Sequence, residues 1–163
     1  MEYYRYIKGM VIKIEDFFTS ANERTGCYKL LTILVEEGNI VNFVVTPSTY
    51  FVNHVTLKTG DMVIGFYDAN APVPLIYPPR YTALVMGKYS PTQNITVDYF
   101  DENLVSSNGM LKLNIGVTTK VLLTNDQYFQ GELTNRDLIV VYDFTTRSIP
   151  AQTTPLKIIV LCS

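Results

Sequence analysis

Hydrophobic and polar positions alternate along most of the chain, in runs rich in Val, Ile, Thr, Tyr and Phe that are bounded by Gly, Asn, Asp and Pro. Short alternating runs of this composition are typical of β-strands. No long window carries the helical apolar period of about 3.6 residues together with capping residues. The pattern therefore predicts an all-β protein. The predicted strands are Tyr6–Ile14, Tyr28–Glu36, Ile40–Val45, Asp61–Tyr67, Tyr81–Tyr89, Asn94–Phe100, Met110–Ile115, Leu138–Tyr142 and Leu156–Leu161.

Turn signals separate these runs. Residues 37–39 (Glu-Gly-Asn) and 107–109 (Ser-Asn-Gly) lie in or between apolar stretches, and Gly and Asn tolerate the positive φ that tight hairpins require. Both segments are predicted to be hairpin turns. Single helical turns are predicted at Pro47–Val52 and Asn125–Gln130.

The second half of the chain repeats features of the first half in the same order. Each half has an aromatic pair, a leucine, an apolar strand that ends in Tyr-Asp, and a proline-containing loop followed by another apolar strand. The paired features are Tyr50-Phe51 and Tyr128-Phe129, Leu57 and Leu133, Tyr67-Asp68 and Tyr142-Asp143, and the loops with Pro72, Pro74, Pro78 and Pro79 and with Pro150 and Pro155. An ordered repeat of this kind predicts two similar β units.

Each unit would have about five strands, which fits a small Greek-key barrel of the OB type. We therefore predict two tandem OB-like barrels, residues 1–88 and 89–163, related by an internal repeat. The strands Asp61–Tyr67 and Leu138–Tyr142 should superpose, with Tyr67 on Tyr142. A single strand-swapped double barrel stays open as the alternative.

Composition and charge narrow the function classes. Hydrophobic residues make up 47% of the chain and charged residues 17%, which is enough apolar material for a packed interior. Lys and Arg number 13 against 15 Asp and Glu, for a formal charge of −2. Because each neutralised phosphate needs a cation, this balance argues against a protein that mainly holds nucleic acid. We predict that generic single strands bind more weakly than about 10 μM at physiological salt.

Cysteine usage and the N-terminal sequence indicate a compartment. The N-terminus has no basic stretch followed by an apolar one, and no apolar run approaches the roughly 18 residues of a membrane span. The sequence therefore predicts a cytoplasmic protein, with envelope association as the alternative if a leader was removed. Cys27 and Cys162 are predicted to be reduced thiols, with a disulfide between them as the open alternative.

Three segments resemble a family of uncharacterised β-rich proteins from Gram-positive, spore-forming bacteria. These are residues 65–72 (GFYDANAP), 75–81 (LIYPPRY) and 145–155 (TTRSIPAQTTP). The resemblance implies a β-rich fold and implies no catalytic residue. A weaker resemblance to OB folds rests on the strand count and on the turn at residues 58–61 before a β run.

Catalytic and metal-binding motifs are sparse. His54 is the one imidazole, no Gly-x-Ser-x-Gly segment occurs, and His54 is interpreted as a surface loop residue. The carboxylates are scattered, and neither a calcium loop nor a phosphate-binding glycine motif is present. We predict no catalytic residue, no metal site and no cofactor.

Repeated carboxylates are the first group of candidate site residues. Asp68 and Asp143 close equivalent strands, and Arg80 and Arg147 follow a short way beyond. Each Asp is expected to bond the backbone or an Arg and so fix the proline loop; the alternative is a polar rim around a ligand cleft. Asp61 and Asp137 are interpreted as strand-start residues that accept a bond from a free backbone N–H.

Aromatic residues are the second group. Tyr50 and Tyr128 are interpreted as plugs that close the barrel bottoms, with stacking platforms for bases or sugar rings as the alternative. Tyr77 lies in the first proline loop, and such loops on a rigid β scaffold are common recognition sites. We expect Tyr77 and Arg80 to be at least partly exposed, beside a cleft between the units.

Taken together, the sequence predicts a non-catalytic binding or assembly module. Its partner is predicted to be a protein or a small ligand rather than nucleic acid or a membrane. Two alternatives stay open: a binder of single-stranded nucleic acid or oligosaccharide, and an enzyme that uses carboxylates in a cleft between the units.

Overall fold

A computed structural model of the chain describes residues 2–18 and 26–162, and the fold is all-β, as the alternating pattern predicts. The described residues form thirteen strands and two single 3-10 turns, at Glu36–Gly38 and Val52–His54. The strands are β1 (Tyr4–Asp16), β2 (Lys29–Val35), β3 (Ile40–Val45), β4 (Tyr50–Phe51), β5 (Met62–Asp68), β6 (Arg80–Thr82), β7 (Val85–Lys88), β8 (Asn94–Phe100), β9 (Leu111–Leu113), β10 (Lys120–Leu123), β11 (Arg136–Tyr142), β12 (Ala151–Thr153) and β13 (Lys157–Val160).

Backbone contacts divide the chain into two units. The first unit is Tyr4–Tyr89, and the second comprises residues 90–162 together with residues 2–3. The sequence predicts this boundary one residue earlier, between residues 88 and 89.

The first unit forms one sheet with the strand order β4-β7-β5-β1-β2-β3-β6. Strand β1 pairs antiparallel with both β2 and β5, β2 pairs antiparallel with β3, and β5 pairs antiparallel with β7. The pairs β3–β6 and β4–β7 are parallel. The hairpin predicted at residues 37–39 is confirmed, because Glu37 and Gly38 have φ values of 73° and 80° between β2 and β3.

Alternation of the strands places an apolar cluster inside the first unit. Gly65 of β5 lies against the ring of Phe43, where an added Cβ would come within 2.7 Å of Phe43 Cε2 and 3.3 Å of Met86 Cε. The missing side chain is therefore what allows the Phe43 ring to cross β5. The buried cluster consists of Val11, Leu31, Ile33, Phe43, Val63, Tyr67, Ala83 and Met86.

The second unit has a four-stranded sheet with the order β10-β13-β11-β8 and a two-stranded sheet of β9 and β12. Strand β11 is antiparallel to β8 and β13, while β10–β13 and β9–β12 are parallel pairs. The hairpin predicted at residues 107–109 is confirmed: Gly109 N donates to Ser106 O at 2.8 Å, and Val105 pairs with Lys112. The core is formed by Phe100, Leu111, Leu113, Leu138, Val140, Ile158 and Val160.

Both predicted helical turns are wrong in part or in whole. Pro47–Val52 begins as a turn, in which Thr49 N donates to Thr46 O at 3.1 Å, but Tyr50 and Phe51 then pair with β7 as β4. Asn125–Gln130 forms no helical turn. Asp126 has a positive φ of 68°, and Leu123 N donates to Gln127 O at 2.8 Å, so the chain reverses there instead.

Asp61 takes the backbone role that the sequence predicts. Lys58 N donates to Asp61 Oδ2 at 2.8 Å, just before β5, and Lys88 Nζ lies 3.5 Å from the same oxygen. The bond from the Lys58 backbone is the main reason that the pKa of Asp61 is lowered from its ordinary value of 3.8, with Lys88 contributing. Asp137 lies inside β11 opposite Tyr99, because β11 begins two residues earlier than predicted.

We expect the Asp61→Asn variant to lose an acid-dependent part of the stability. Since the pKa is lower in the folded chain than in the unfolded one, the carboxylate stabilises the fold above the ordinary pKa of 3.8. That contribution is lost as the pH falls through the lower folded-state value. Urea unfolding between about pH 6 and about pH 2 should therefore show a steeper fall for the wild-type chain than for Asp61→Asn. Lys88→Met should keep most of this difference, since the backbone bond remains; parallel wild-type and Asp61→Asn profiles would contradict the assignment.

Candidate functional site

A groove of about 440 Å³ opens in the first unit, between the ends of β3 and β5 and the strand β6. The loop after β5 contributes one wall and the residues that flank β1 and β2 contribute another. Its volume lies within the usual range for ligand sites. We call it the aromatic groove; its lining includes four rings (Phe17, Tyr28, Tyr67 and Tyr81), two prolines (Pro72 and Pro74) and one residue of each charge (Asp68 and Arg80).

Two of the rings are stacked on each other. The centroids of Tyr67 and Tyr81 are 4.0 Å apart at an interplanar angle of 14°, and the Phe43 ring packs obliquely against both. Burial, followed by the neighbouring Tyr81 phenol, raises the pKa of Tyr67 above its ordinary value of 10.0. The Tyr67 phenol therefore keeps its proton at neutral pH, and the Tyr81 side chain is already a hydrogen-bond partner of that phenol.

The charged residues of the groove are held by different contacts. The Arg80 guanidinium lies over the Phe17 ring, with 5.1 Å between its central carbon and the ring centroid, which is a cation–π distance. Asp68 Oδ1 accepts a bond of 2.8 Å from Asn70 N and so shapes the start of the proline loop. This contact is the backbone hydrogen bond expected for Asp68. Asp68 and Arg80 also line the groove, which is what the alternative interpretation, a polar rim around a ligand cleft, requires.

Tyr77 lies outside the aromatic groove, with 79% of its surface exposed. It lines a separate depression of about 490 Å³ on the proline loop, together with Leu75 and Ile76. Arg80 borders this depression as well and is half-buried. The first proline loop thus borders two concave surfaces.

Tyr50 and Tyr128 do not occupy matching places. Tyr50 is buried and pairs with Val85 in β4, which fits a plug. Tyr128 is 71% exposed and faces Leu122 in an isolated bridge, so its interpretation as a plug is wrong. Strand β10 pairs in parallel with β13 in the second unit, as β4 pairs with β7 in the first. Because β10 begins at Lys120, Tyr128 lies well beyond the strand that corresponds to β4.

Asp143 and Arg147 lie in the second unit. Asp143 Oδ1 accepts a bond of 2.7 Å from Phe144 N and lines a groove of about 400 Å³. Arg147 is exposed on the loop between β11 and β12. Asp143 thus makes the predicted backbone contact at the end of its strand.

Sequence reasoning missed Phe17 and Tyr28, which supply two rings of the aromatic groove. They follow β1 and precede β2, and Phe17 N donates to Tyr28 O at 2.9 Å. The available signal was an aromatic residue at the facing ends of two predicted antiparallel strands. His54, by contrast, lies on the surface as predicted, and Cys27 and Cys162 are free thiols.

Within residues 2–18 and 26–162, no group of three His, Cys, Asp or Glu side chains is arranged to hold a metal ion. The same residues contain no helix with the length and apolar character needed to cross a bilayer. No protein-family model matches the chain, and no curated protein is significantly similar to it.

Proposed function

We propose that each unit is an OB-type barrel. In an OB fold, about five strands form a closed Greek key in which the first strand pairs with the second and fourth and the last strand runs beside the third. The pairings of the first unit support this topology: β1 pairs with β2 and β5, and β6 runs parallel to β3. Strand β7 then continues β6 along β5, so β6 and β7 act as one bent final strand.

The pairings of the second unit support the internal repeat. Strand β8 pairs with β11, β9 runs parallel to β12, and β13 continues along β11. A side-chain bond is also matched: Thr49 Oγ1 donates to Ala83 O at 2.8 Å, and Thr119 Oγ1 donates to Pro155 O at 2.7 Å. Both threonines close a turn just before a short strand that pairs in parallel with the final strand.

Matched backbone bonds support the alignment of Tyr67 with Tyr142. Leu84 N donates to Phe66 O at 2.8 Å, and Leu156 N donates to Val141 O at 2.9 Å. The residue after each acceptor is the tyrosine. The bonds make Phe66 correspond to Val141, and the same difference in residue number makes Asp61 correspond to Arg136. Asp137, which resembles Asp61 in the sequence, therefore lies one residue beyond the matching position.

We propose that the protein is a non-catalytic binding module whose aromatic groove takes an extended, proline-containing peptide segment. The observation that carries this proposal is the composition of the groove: aromatic and proline walls with a single guanidinium, a single carboxylate and a few hydroxyl groups. Aromatic-lined grooves of this kind recognise polyproline II segments, which lose little conformational entropy on binding. Arg80 is a donor for the peptide carbonyls.

Ring geometry favours a peptide over a base or a sugar in this groove. A base or a pyranose needs an open ring face, but Tyr67 and Tyr81 cover each other and the Arg80 guanidinium covers one face of Phe17. The half-buried Tyr28 ring, ring edges, prolines and aliphatic side chains remain, and these suit the methylene surfaces of a peptide.

Charge disfavours the other two candidate functions. Arg80 is the one basic side chain among the described lining residues, which is too little positive charge for a nucleic-acid backbone. Asp68 is likewise the one carboxylate among them, whereas carboxylate-based catalysis needs two groups with separated pKa values in one pocket.

An NMR titration of the isotope-labelled chain with a short synthetic peptide of prolines around a central leucine tests the proposal. We expect the amide shifts to map to the lining of the aromatic groove. Tyr81→Ala should weaken binding at least about tenfold, because a half-buried aromatic anchor is lost. Val73→Asp, at an exposed position of the lining, should weaken it by a similar factor without removing a packed ring.

Tyr128→Ala is the matched control, since this exposed tyrosine lies in the second unit and should leave the peptide affinity unchanged. An oligo-dT strand added in the same assay should bind more weakly than about 10 μM. Peptide-induced shifts that avoid the aromatic groove, or tighter binding of the oligonucleotide, would overturn the proposal.

A further inference from the structure

The second unit has a groove of about 400 Å³ with a different chemistry from the aromatic groove. We call it the hydroxyl groove, because threonine and amide side chains dominate its lining. Its main residues are Asn114, Asp143, Phe144, Thr146, Gln152 and Thr154.

The hydroxyl groove lies at the place in the second unit that the aromatic groove has in the first. Gln152 of β12 pairs with β9 in the way that Arg80 of β6 pairs with β3. Asn114 and Val44 each lie two residues after the partner of Gln152 or Arg80, with Asn114 just after the end of β9 and Val44 within β3. A guanidinium and an aliphatic side chain are thus replaced by two carboxamides at matching positions.

The hydrogen bonds within the groove leave several polar atoms for a ligand. Asn114 Nδ2 donates to Gln152 Oε1 at 3.1 Å, which joins the two amides across the parallel strands. Asp143 uses Oδ1 to accept from Phe144 N. Within the described residues, Asp143 Oδ2, Gln152 Nε2 and Asn114 Oδ1 make no further hydrogen bond, so an acceptor, a donor and a second acceptor face one small volume.

Phe144 presents its ring at the edge of this polar surface, with 82% of the residue exposed. Its backbone is held on both sides: its N–H donates to Asp143 Oδ1 at 2.7 Å, and its carbonyl accepts from Thr153 Oγ1 at 2.6 Å. An exposed aromatic ring on a fixed backbone is a preorganised platform, since little freedom of the main chain remains to be lost on binding.

We propose that the hydroxyl groove binds a neutral oligosaccharide. A pyranose has an apolar C–H face that packs on an open aromatic ring and a rim of hydroxyl groups that both donate and accept. Phe144 supplies the ring, Asp143 Oδ2 accepts from a sugar hydroxyl, and the amides of Asn114 and Gln152 bond its neighbours. The volume of the groove accommodates one or two sugar rings.

Charge excludes an anionic ligand from this proposal. Asp143 is the one ionised side chain among the described lining residues, so the groove repels phosphate and carboxylate groups. The proposal does not depend on peptide binding in the first unit, because the two grooves share no residue.

Separate NMR titrations of the full chain with maltotriose, cellotriose and triacetylchitotriose, each to about 10 mM, test the proposal, since single-site sugar affinities of this order are weak but measurable. We expect at least one of them to shift the amides of residues 143–146 and 151–154. Phe144→Ala should weaken that binding at least about tenfold, and Phe144→Tyr should retain it, because the platform is the ring itself.

Ile149→Ala is the matched control, because it removes an equally exposed apolar side chain from the same loop and should change the affinity less than about twofold. Absence of shifts with all three sugars, shifts confined to other parts of the chain, or equal affinity of wild type and Phe144→Ala would each overturn the proposal. Any of these results leaves the peptide titration of the first unit unaffected.

Discussion

Phe43→Ala is expected to lower the free energy of unfolding by about 3 to 5 kcal/mol, the usual cost of deleting a fully buried phenylalanine ring. Phe43 has 0% of its surface exposed, and its ring packs against Tyr67, Tyr81 and the glycine of β5 at position 65. Deleting the ring leaves a cavity bordered by the two stacked tyrosine rings and by the buried side chain of Met86. Equilibrium unfolding in urea, followed by circular dichroism, measures the change.

Phe144→Ala is the control for Phe43→Ala, since it deletes the same ring from an exposed position. Its free energy of unfolding should stay within about 0.5 kcal/mol of the wild-type value. This result would also show that any loss of sugar binding in Phe144→Ala reflects a lost contact. A Phe43→Ala variant within about 1 kcal/mol of wild type would contradict the packing described for the first unit.

Asp98→Ala is expected to destabilise the chain by about 2 to 3 kcal/mol through its hydrogen bonds rather than its packing. Asp98 is 7% exposed, and its carboxylate accepts from Tyr99 N at 2.8 Å, from Ser107 Oγ at 2.6 Å and from Ser107 N at 3.1 Å. These bonds attach the hairpin at residues 106–109 to β8. Removing the carboxylate leaves its donors without this acceptor, which costs more than a neutral bond because the acceptor is charged.

Asp98→Asn and Glu102→Ala are the comparison variants for this prediction. Asparagine keeps one carbonyl acceptor, so Asp98→Asn should lose less stability than Asp98→Ala in the same urea titration. Glu102 is an exposed acidic residue of the following turn, and its alanine variant should stay within about 0.5 kcal/mol of wild type. Equal stability of Asp98→Ala and Glu102→Ala would show that the hairpin does not need the buried carboxylate.

Strands of six or more residues were largely predictable. Among the shorter ones, β9 lies within the predicted strand Met110–Ile115 and β7 within Tyr81–Tyr89, whereas β4, β10 and β12 were not predicted. Alternation over the six residues of Ile40–Val45 or the seven of Asn94–Phe100 identifies a half-buried strand before any contact is known. Strands β4 and β12 have two and three residues, too few for alternation to be visible. They exist because a parallel neighbour, β7 or β9, satisfies their backbone groups. Strand β10 has four residues and was also missed, because a parallel partner, β13, satisfies its backbone groups and its own sequence shows no clear alternation.

The candidate sites were predictable only in part. The strands that end in Tyr-Asp drew attention to Asp68 and Asp143, and these two residues line the two grooves. The proline loop pointed to Arg80. Phe17 and Phe144 were not predicted, because a single aromatic residue in a loop carries no pattern, and its role depends on which strands lie beside it.

The amino-acid sequence by itself determined the all-β class, the two hairpin turns and the turn role of Asp61, because alternation, positive-φ residues and short side-chain to backbone bonds act over a few neighbouring positions. Only the tertiary structure decided which aromatic residues meet. Phe17 reaches Arg80, and Tyr67 reaches Tyr81, through strand pairings between residues far apart in the chain. The same pairings separate Tyr50 from Tyr128, although both begin a Tyr-Phe pair. Register across a sheet is set by all the partners of a strand together, so a local motif does not contain it.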